Sequence, residues 1–310
     1  MGKATREAYG NALARIGKEN TNIIVLDADL SKSTKTDTFK AVCPERFFNV
    51  GIAEQNLISV GAGLAAAGKI PFVSSFSMFA TGRAFEQIRN AVCYPKLNVK
   101  VCATHAGITV GEDGATHQSL EDISCMRTLP NMTVVVPADE RETEAVIEWA
   151  ASYNGPVYVR LGRAGVDDVT TEGYSFVPGK STILVDGSDA TIIACGALVG
   201  PAVEASKTLS ESNISARVIN MASIKPIDAE AIVKAATETG AIVTAEEHNI
   251  IGGLGSAVSE VVVANKSVPM EFVGVQDTFG ESGTPKELMK KYGLTANDIV
   301  EAVKRVIARK

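Results

Sequence analysis

Short, strand-like apolar runs alternate along the whole chain with longer segments in which apolar side chains recur every three to four residues. The run 23–26 (Ile-Ile-Val-Leu) is the first, and similar runs follow at 71–73, 99–102, 133–136 and 157–159. Central strands of a parallel sheet are apolar on both faces because helices cover both, and each crossover needs a dozen or more residues. The alternation therefore predicts an α/β protein with doubly wound, mainly parallel sheets.

A polar, turn-rich stretch interrupts this alternation at 166–188, where Asp-Asp, Glu-Gly and Pro-Gly pairs occur. A second series of strand-like runs follows at 190–194, 216–219, 241–244 and 271–275. The chain has 310 residues, and chains longer than about 250–300 residues usually divide into domains, so one large domain is the less favoured alternative. We predict two domains, at 1–165 and 189–310, joined by a linker or surface hairpin at 166–188.

Four helix starts are predicted from side chains that can accept a hydrogen bond from the free N–H groups of a first helical turn. They are Thr5, Ser119 with Asp122, Asp139 with Glu142, and Thr295. Each of these side chains is expected to bond locally, to the helix that it precedes.

Charge and cysteine content exclude several classes of function. The chain has 30 Lys+Arg and 36 Asp+Glu, a net charge of −6, and no basic block, which argues against a nucleic-acid partner. Its five cysteines are odd in number and form no Cys-x-x-Cys pair, which predicts free thiols in a reducing compartment. No apolar segment has the length of a membrane span or a secretory leader, so we expect a cytoplasmic protein without a membrane partner.

The densest polar cluster, Thr104–Gln118, directly follows a predicted strand. It is rich in glycine and contains His105 and His117, two of the three histidines, with Asp113 and a glutamate between them. Parallel α/β sheets bind ligands at the carboxyl ends of their strands, and imidazoles with acids on a glycine-rich loop serve no packing purpose. The loop is therefore a candidate functional site. Metal binding is a competing interpretation, but the spacing lacks zinc-site geometry and we predict no metal ligands.

Two further features are ambiguous when each is taken alone. Glu54 introduces an apolar, small-residue helix, where a carboxylate often only complements the helix dipole. Phe76 and Phe79 lie in an aromatic-rich segment, where such residues are more often core than a platform for a ligand ring. Neither pattern alone distinguishes a structural role from a functional one.

Four motifs together resemble a known family: GIAEQN (51–56), FSMFATGRAFEQIR (76–89), VGEDGATHQSLEDISCMRTLPNMTVVVPAD (110–139) and EEHNIIGGLG (246–255). They are similar to the carboxyl-terminal portion of transketolase, and more loosely to 1-deoxyxylulose-5-phosphate synthase and to the beta subunits of 2-oxo acid dehydrogenases. The resemblance covers nearly the whole chain. It implies a pyrimidine-binding domain at 1–165 and a transketolase C-terminal domain at 189–310.

The resemblance implies that the chain binds thiamine diphosphate. Glu54 matches the glutamate that contacts N1′ of the aminopyrimidine, where a carboxyl group supports proton exchange with the ring. Phe76 matches the phenyl ring stacked on the pyrimidine, and Phe79 matches an aromatic residue that lines the same site. Asp29 matches an acidic residue near the cofactor.

The resemblance also implies a sugar-phosphate site. His105 and Asp113 match residues that contact the hydroxyl groups of a ketose, and His117 matches the imidazole near the donor carbonyl, which suits proton transfer. The matches for the phosphate contacts are Arg6, Ser33 and Arg163, with Arg160 as an alternative to Arg163. Arginine suits a phosphate dianion because its forked donors bind two oxygens at once.

The sequence lacks one motif of full-length family members. In those enzymes a Gly-Asp-Gly motif with a downstream asparagine holds the metal ion and the cofactor diphosphate, and no Gly-Asp-Gly occurs in this chain. A diphosphate without a metal or a basic cradle would be an uncompensated charge. The resemblance therefore implies that Mg2+ or Ca2+ is held by a separate N-terminal partner subunit. We expect a heterodimer or a heterotetramer with two copies of each subunit; a cloned fragment is the alternative.

Among the relatives, transketolase fits best. Deoxyxylulose-phosphate synthases usually have Asp-Arg where this chain has Thr104-His105, and the dehydrogenase subunits lack the Asp-Gly-x-Thr-His run. The implied reaction is transfer of a two-carbon ketol unit between sugar phosphates, in the presence of the partner. A synthase-like subunit, an oxidative decarboxylation subunit and a non-catalytic scaffold paralogue remain the alternatives. Gln55, Gly82 and Ala115 depart from the common transketolase pattern.

Overall fold

The structure, a computed structural model, describes residues 2–310, whose strands form two sheets. The strands are β1 (Ile23–Asp27), β2 (Phe47–Asn49), β3 (Ile70–Ser74), β4 (Lys100–Ala103), β5 (Thr133–Val135), β6 (Val157–Arg160), β7 (Thr182–Val185), β8 (Ala190–Ala194), β9 (Ala216–Asn220), β10 (Ser223–Lys225), β11 (Ile242–Asn249) and β12 (Met270–Val275). The helices are α1 (Thr5–Glu19), α2 (Ser31–Thr34), α3 (Asp37–Val42), α4 (Glu54–Ala66), α5 (Phe85–Gln87), α6 (Asp122–Arg127), α7 (Glu140–Ser152), α8 (Val199–Glu211), α9 (Ala229–Thr239), α10 (Leu254–Asn265), α11 (Pro285–Lys291) and α12 (Ala296–Ile307).

The first sheet has seven strands in the order β10-β5-β6-β4-β3-β1-β2, and all its pairings except β10 with β5 are parallel. Ile23 of β1 pairs with Ile70 of β3, and Lys100 of β4 pairs with Val157 of β6. Every residue of β1, β4 and β6 is buried, as expected for central strands covered on both faces. The predicted doubly wound, mainly parallel architecture is confirmed here.

The second sheet has five strands in the order β12-β11-β8-β9-β7 and is likewise parallel except at one edge, where β7 is antiparallel to β9. The four apolar runs predicted as strands in this half correspond to β8, β9, β11 and β12. The stretch 166–188, predicted to be a linker or surface hairpin, contains β7. Its end therefore belongs to the second sheet, because β7 pairs with β9.

The two halves of the chain share a hydrophobic core. The short strand β10, from the second half, pairs with β5 of the first sheet. One buried cluster contains Leu57 and Met126 from the first half together with Ile193, Ile219 and Leu254 from the second. Consequently the loops of the first sheet lie directly against elements of the second half, which matters for the site described below.

Two of the predicted helix caps are confirmed. Asp139 Oδ1 accepts the backbone N–H of Glu142, 2.9 Å away, at the start of α7. Thr295 and Asp298 bond reciprocally at the start of α12 as a capping box.

The other two cap predictions are wrong, because Thr5 and Asp122 bond to partners far away in the sequence and the hydroxyl of Ser119 is buried without a hydrogen-bond partner. Thr5 is the first residue of α1 rather than its cap, and its hydroxyl accepts the N–H of Gly162, 2.8 Å away, beyond β6. Ser119 does not cap α6, which follows Glu121, and Asp122 instead pairs with Arg160. Local sequence carries no information about such distant partners.

The segment between β3 and β4 is irregular. It is helical, but wide turns of the π type at Met78–Arg83 and Ile88–Cys93 flank α5. Such turns change the direction in which side chains leave a helix and are frequent at functional sites. In residues 2–310, no helix is both long and apolar enough to cross a membrane.

Candidate active site

The candidate site lies at the carboxyl edge of the first sheet, where the loops after β1, β3, β4 and β6 meet. Beyond the ends of β3 and β4 the two backbone segments stay paired. Ser77 N donates to Thr104 O (2.7 Å), and Thr104 N donates to Ser75 O (3.1 Å). This pairing brings Phe76, on the first loop, beside His105, on the second. It follows from the parallel register of the two strands.

Four aromatic rings form a cluster at this edge. The ring centroids of Phe76 and His105 are 3.8 Å apart with an interplanar angle of 24°. Phe79 and His117 make an edge-to-face contact at 5.2 Å, and the centroids of Phe76 and Phe79 are 6.1 Å apart. The two ends of the loop predicted to be functional thus converge on the two phenylalanines, as the sequence alone could not show.

His105 is held rigidly and without charge. Its backbone has a φ of +58°, a left-handed conformation that is uncommon outside glycine and that clusters at functional sites. Its Nε2 lies 3.4 Å from Nη1 of Arg6, which can only donate, so the ring proton is assigned to Nδ1, 2.8 Å from Thr104 Oγ1. Burial, together with the charges of Arg6 and Arg163, lowers the pKa of His105 to about 3. A neutral imidazole of this kind serves as a hydrogen-bonding group.

Arg6 and Arg163 lie on the same side of the cluster. Arg6 Nη1 donates to the carbonyl of Ser33 at 2.9 Å, while its Nε is buried without a hydrogen-bond partner. Burial, with the nearby Arg163 charge, lowers the pKa of Arg6. Arg163 donates to Val110 O and to the carboxylate of Glu112. Two arginines that repel each other, one with an unused buried donor, are the features of an anion site.

Arg160, the alternative phosphate ligand, is buried and already bonded to other residues of this chain. Its side chain is 5% exposed and pairs with Asp122 at 2.8 Å, and its Nη2 donates to the carbonyl of Glu247, also at 2.8 Å. Arg163, by contrast, has about a third of its side chain in solvent.

Glu54 is the first residue of α4 and is almost completely buried. Its Oε2 accepts from Nη1 of Arg83 at 2.8 Å; the carboxylate side chain is 2% exposed and the arginine 51%. The guanidinium carbon of Arg83 lies 4.8 Å from the centroid of the Phe79 ring. Arg83 therefore joins Glu54 to the ring cluster. The sequence motif alone does not single out Arg83, because the direction of its side chain depends on the wide turn at Met78–Arg83.

Asp29 and Asn49 connect the loops on the other side of Glu54. Asp29 is exposed, has a φ of +65°, and accepts from Asn49 Nδ2 at 2.7 Å. The amide oxygen of Asn49 accepts the backbone N–H groups of Asp29 and Gly51, each at 3.0 Å. Asn49 thus fixes the turn that leads to Glu54, a positioning role that the sequence did not reveal.

The central part of the histidine loop is a short, kinked 3-10 segment, Ile108–Asp113. Its kink is at Gly111, whose φ is +84° and whose missing Cβ would come within 3.2 Å of Arg163 Nη1. Asp113 is exposed at the end of this segment, and within residues 2–310 its side chain has no hydrogen-bond partner. Across the same residues, no group of three or more His, Cys, Asp or Glu side chains is arranged to hold a metal ion.

Fold and site together define a class of protein: an α/β protein that presents a buried carboxylate, stacked rings and an arginine pair at the carboxyl edge of a parallel sheet. The family described as transketolase, pyrimidine binding domain, matches residues 1–167, and the transketolase C-terminal domain matches residues 179–299. The chain belongs to the transketolase family, which confirms the resemblance inferred from its motifs.

Individual relatives agree with this assignment. A putative transketolase C-terminal section from Methanocaldococcus jannaschii is 53% identical over 304 residues, covering 97% of this chain and 95% of the relative. A 6-deoxy-6-sulfo-D-fructose transketolase subunit from a Clostridium species is 43% identical, covering 98% and 95%. A solved structure described as a split gene transketolase, inactive beta4 tetramer, is 55% identical, with a TM-score of 0.92 and full coverage of both chains.

Proposed function

We propose that this chain is the C-terminal subunit of a split transketolase. Together with an N-terminal subunit it transfers a two-carbon ketol unit from a ketose phosphate to an aldose phosphate, using thiamine diphosphate. The observation that carries the proposal is the contact chain from Glu54 through Arg83 to Phe79, and from Phe79 to His117 and Phe76. It gathers the carboxylate, phenyl rings and imidazole that the family resemblance predicted, although they lie up to 63 residues apart.

The residues present fit the aminopyrimidine of the cofactor. Arg83 is a planar cation that bonds to the Glu54 carboxylate and lies over the Phe79 ring. An aminopyrimidine is also planar and basic, so the same carboxylate and the same ring suit it. Glu54, Phe76 and Phe79 would hold the ring, with Asp29 at the margin of the site. When bound, thiamine diphosphate supplies a nucleophilic carbon and an electron sink.

The remaining side chains bind and orient the sugar. Arg6 and Arg163, with Ser33 beside Arg6, bind the terminal phosphate. The uncharged His105 and the exposed Asp113 exchange hydrogen bonds with the hydroxyl groups of the sugar. His117, half-buried against Phe79, moves a proton at the carbonyl oxygen of the donor. The Glu54 carboxyl group would hold a proton or release it at the aminopyrimidine ring of the bound cofactor.

The partner requirement rests on what the chain lacks and on its relatives. No Gly-Asp-Gly motif is present to hold a metal and a diphosphate. The 55% identical structure is described as an inactive tetramer of one subunit type. We therefore assign Mg2+ or Ca2+ and the diphosphate to the N-terminal subunit, with two copies of each subunit in the cytoplasmic enzyme.

Reconstitution tests the proposal. This chain, its N-terminal partner, thiamine diphosphate and Mg2+ are mixed, and ketol transfer from a ketose phosphate to an aldose phosphate is followed. Turnover is expected only in the complete mixture. No transfer in a complex of verified mass would reject the proposal, and reduction of an artificial electron acceptor with pyruvate would instead indicate an oxidative decarboxylation subunit.

A further inference from the structure

The strand β11 of the second sheet places a buried carboxylate against the histidine loop of the first. Glu247 is 3% exposed, and its Oε1 accepts the backbone N–H of Thr109 at 2.6 Å. The loop comes so close that a Cβ on Gly107 would lie 2.3 Å from the Glu247 carboxyl carbon. This contact joins residues 138 positions apart in the sequence and belongs to neither the ring cluster nor the arginine pair.

The backbone of Glu247 is fixed in turn to the first half of the chain. Its carbonyl accepts from Arg160, which also pairs with Asp122 in the interior. The Glu247 side chain is therefore presented to the loop from a rigid support rather than from a mobile surface loop.

The peptide that Glu247 contacts adjoins the proposed phosphate ligand. Val110, the residue after Thr109, accepts from Arg163 through its carbonyl, and Arg163 also pairs with Glu112, two residues later. On the inner side, Gln118 Nε2 donates to Ile108 O at 3.1 Å and to Glu281 O of the second half at 2.9 Å. The loop is thus held from two sides by the second half of the chain.

We propose that Glu247 is a positioning residue for the substrate site: it fixes the Thr109 peptide and, through Val110 and Glu112, the direction of the Arg163 guanidinium. The C-terminal domain then contributes to sugar-phosphate binding as well as to assembly. The part of this inference that concerns substrate rests on the proposed function; the part that concerns the loop does not.

The preceding residue in the chain provides a matched control. Glu246 is also buried in β11, but its carboxylate accepts the N–H groups of Leu254 and Gly255 at 2.7 and 2.8 Å, at the start of α10. Both carboxylates are buried and bonded to backbone amides. Only that of Glu247 contacts the histidine loop.

Steady-state kinetics of the reconstituted complex test the substrate part. For Glu247→Ala we expect KM for the sugar phosphate to rise roughly 10- to 100-fold, with a smaller change in kcat, because the buried hydrogen bond that fixes the Thr109 peptide is lost. Glu247→Gln, which retains an acceptor oxygen, should restore KM to within about threefold of the unaltered enzyme. Glu246→Ala should lower the Tm without raising KM. An unchanged KM for Glu247→Ala, or an equal rise for Glu246→Ala, would overturn the proposal.

Hydrogen exchange on the subunit, free or in the complex, tests the loop part without any turnover. Glu247→Ala should accelerate amide exchange at 107–113, whereas Glu246→Ala should accelerate it at 252–256. Unaltered exchange at 107–113 in Glu247→Ala would show that the contact does not hold the loop. A complex without ketol transfer would reject the proposed function and leave this measurement valid.

Discussion

Two arginine–carboxylate pairs in the first half of the chain have opposite surroundings. Asp122 and Arg160, between the two halves, are 0% and 5% exposed, and Asp122 also accepts from the hydroxyl of Tyr158 at 2.6 Å. Glu54 and Arg83, at the sheet edge, combine a buried carboxylate with an arginine that is half in water. The first pair is closed on every side, whereas the cation of the second can leave. A buried carboxylate with an exchangeable partner indicates a binding site more strongly than burial alone does.

The buried Asp122–Arg160 pair is physically connected to the ring cluster at the sheet edge. Ser77, between the two phenylalanines, has its hydroxyl 2.9 Å from that of Tyr158, which bonds to Asp122. Burial would raise the pKa of Asp122, but the Arg160 charge and hydrogen bonds outweigh it and the pKa is lowered. The interior pair therefore stays ionised and supports the segment on which the rings are carried.

The largest expected effect is on stability, for Asp122→Ala. Removing one partner leaves the Arg160 charge buried and uncompensated, so we expect the free energy of unfolding to fall by about 3–5 kcal/mol. Denaturant unfolding of the subunit measures it. Because the pKa of Asp122 is lowered in the folded state, the stabilisation is present above about pH 4 and is lost as the pH falls further. A loss below about 1 kcal/mol would show that the interior pair is not closed.

Glu54→Ala, by contrast, should affect turnover strongly and stability only slightly. In the reconstituted complex we expect turnover to fall about 100-fold or more, since a general acid–base group is removed. The free energy of unfolding should change by only about 1 kcal/mol, because its ion pair is half solvated. Ser59→Ala, exposed one turn later on α4, is the control and should change neither quantity. Unchanged turnover in Glu54→Ala would contradict the acid–base role of Glu54 and leave this chain a scaffold for chemistry on the partner subunit.

A smaller effect, of acid on stability, should come from His105. Its pKa is lowered to about 3 by burial and by the charges of Arg6 and Arg163. Below about pH 6.5 this side chain is therefore protonated in the unfolded chain but stays neutral in the folded chain. Stability should therefore decline as the pH falls from 6.5 toward 3, by about 2 kcal/mol at pH 5. His105→Asn, which tolerates the left-handed backbone, should remove this dependence. The difference in unfolding free energy between pH 7 and pH 5, wild type against variant, measures it; equal differences would contradict the low pKa.

The sequence predicted what depends on local pattern, and the structure supplied what depends on distant partners. Strands β1 and β3 could be located because continuous apolar runs mark buried parallel strands. The strand β10 could not, because three residues with a serine and a lysine carry no such signal. Within the site, the motifs identified Glu54 and His117 through the family resemblance, but Arg83 and Glu247 act through contacts with residues far away or on irregular turns. The caps predicted at Thr5 and at Ser119 with Asp122 were wrong for the same reason, since Thr5 and Asp122 bond to residues far away in the sequence.

The smallest expected effect, for Arg83→Ala, tests whether the cation of the sheet-edge pair is truly exchangeable. Arg83 bonds to the Glu54 carboxylate and covers the Phe79 ring, so a ring that uses both groups has to displace it. Removing it eliminates that competition and leaves the carboxylate bare, and we expect thiamine diphosphate to bind the complex several-fold more tightly, on the scale of about 1 kcal/mol for a half-exposed pair. Isothermal titration measures this, with Arg89→Ala, an exposed arginine on the same segment, as the control. Weaker binding in Arg83→Ala would mean that the arginine stays in place and contributes to the cofactor site. Both ion pairs would then be fixed parts of the structure. Solvent exposure of the arginine would not distinguish a binding-site ion pair from a structural one.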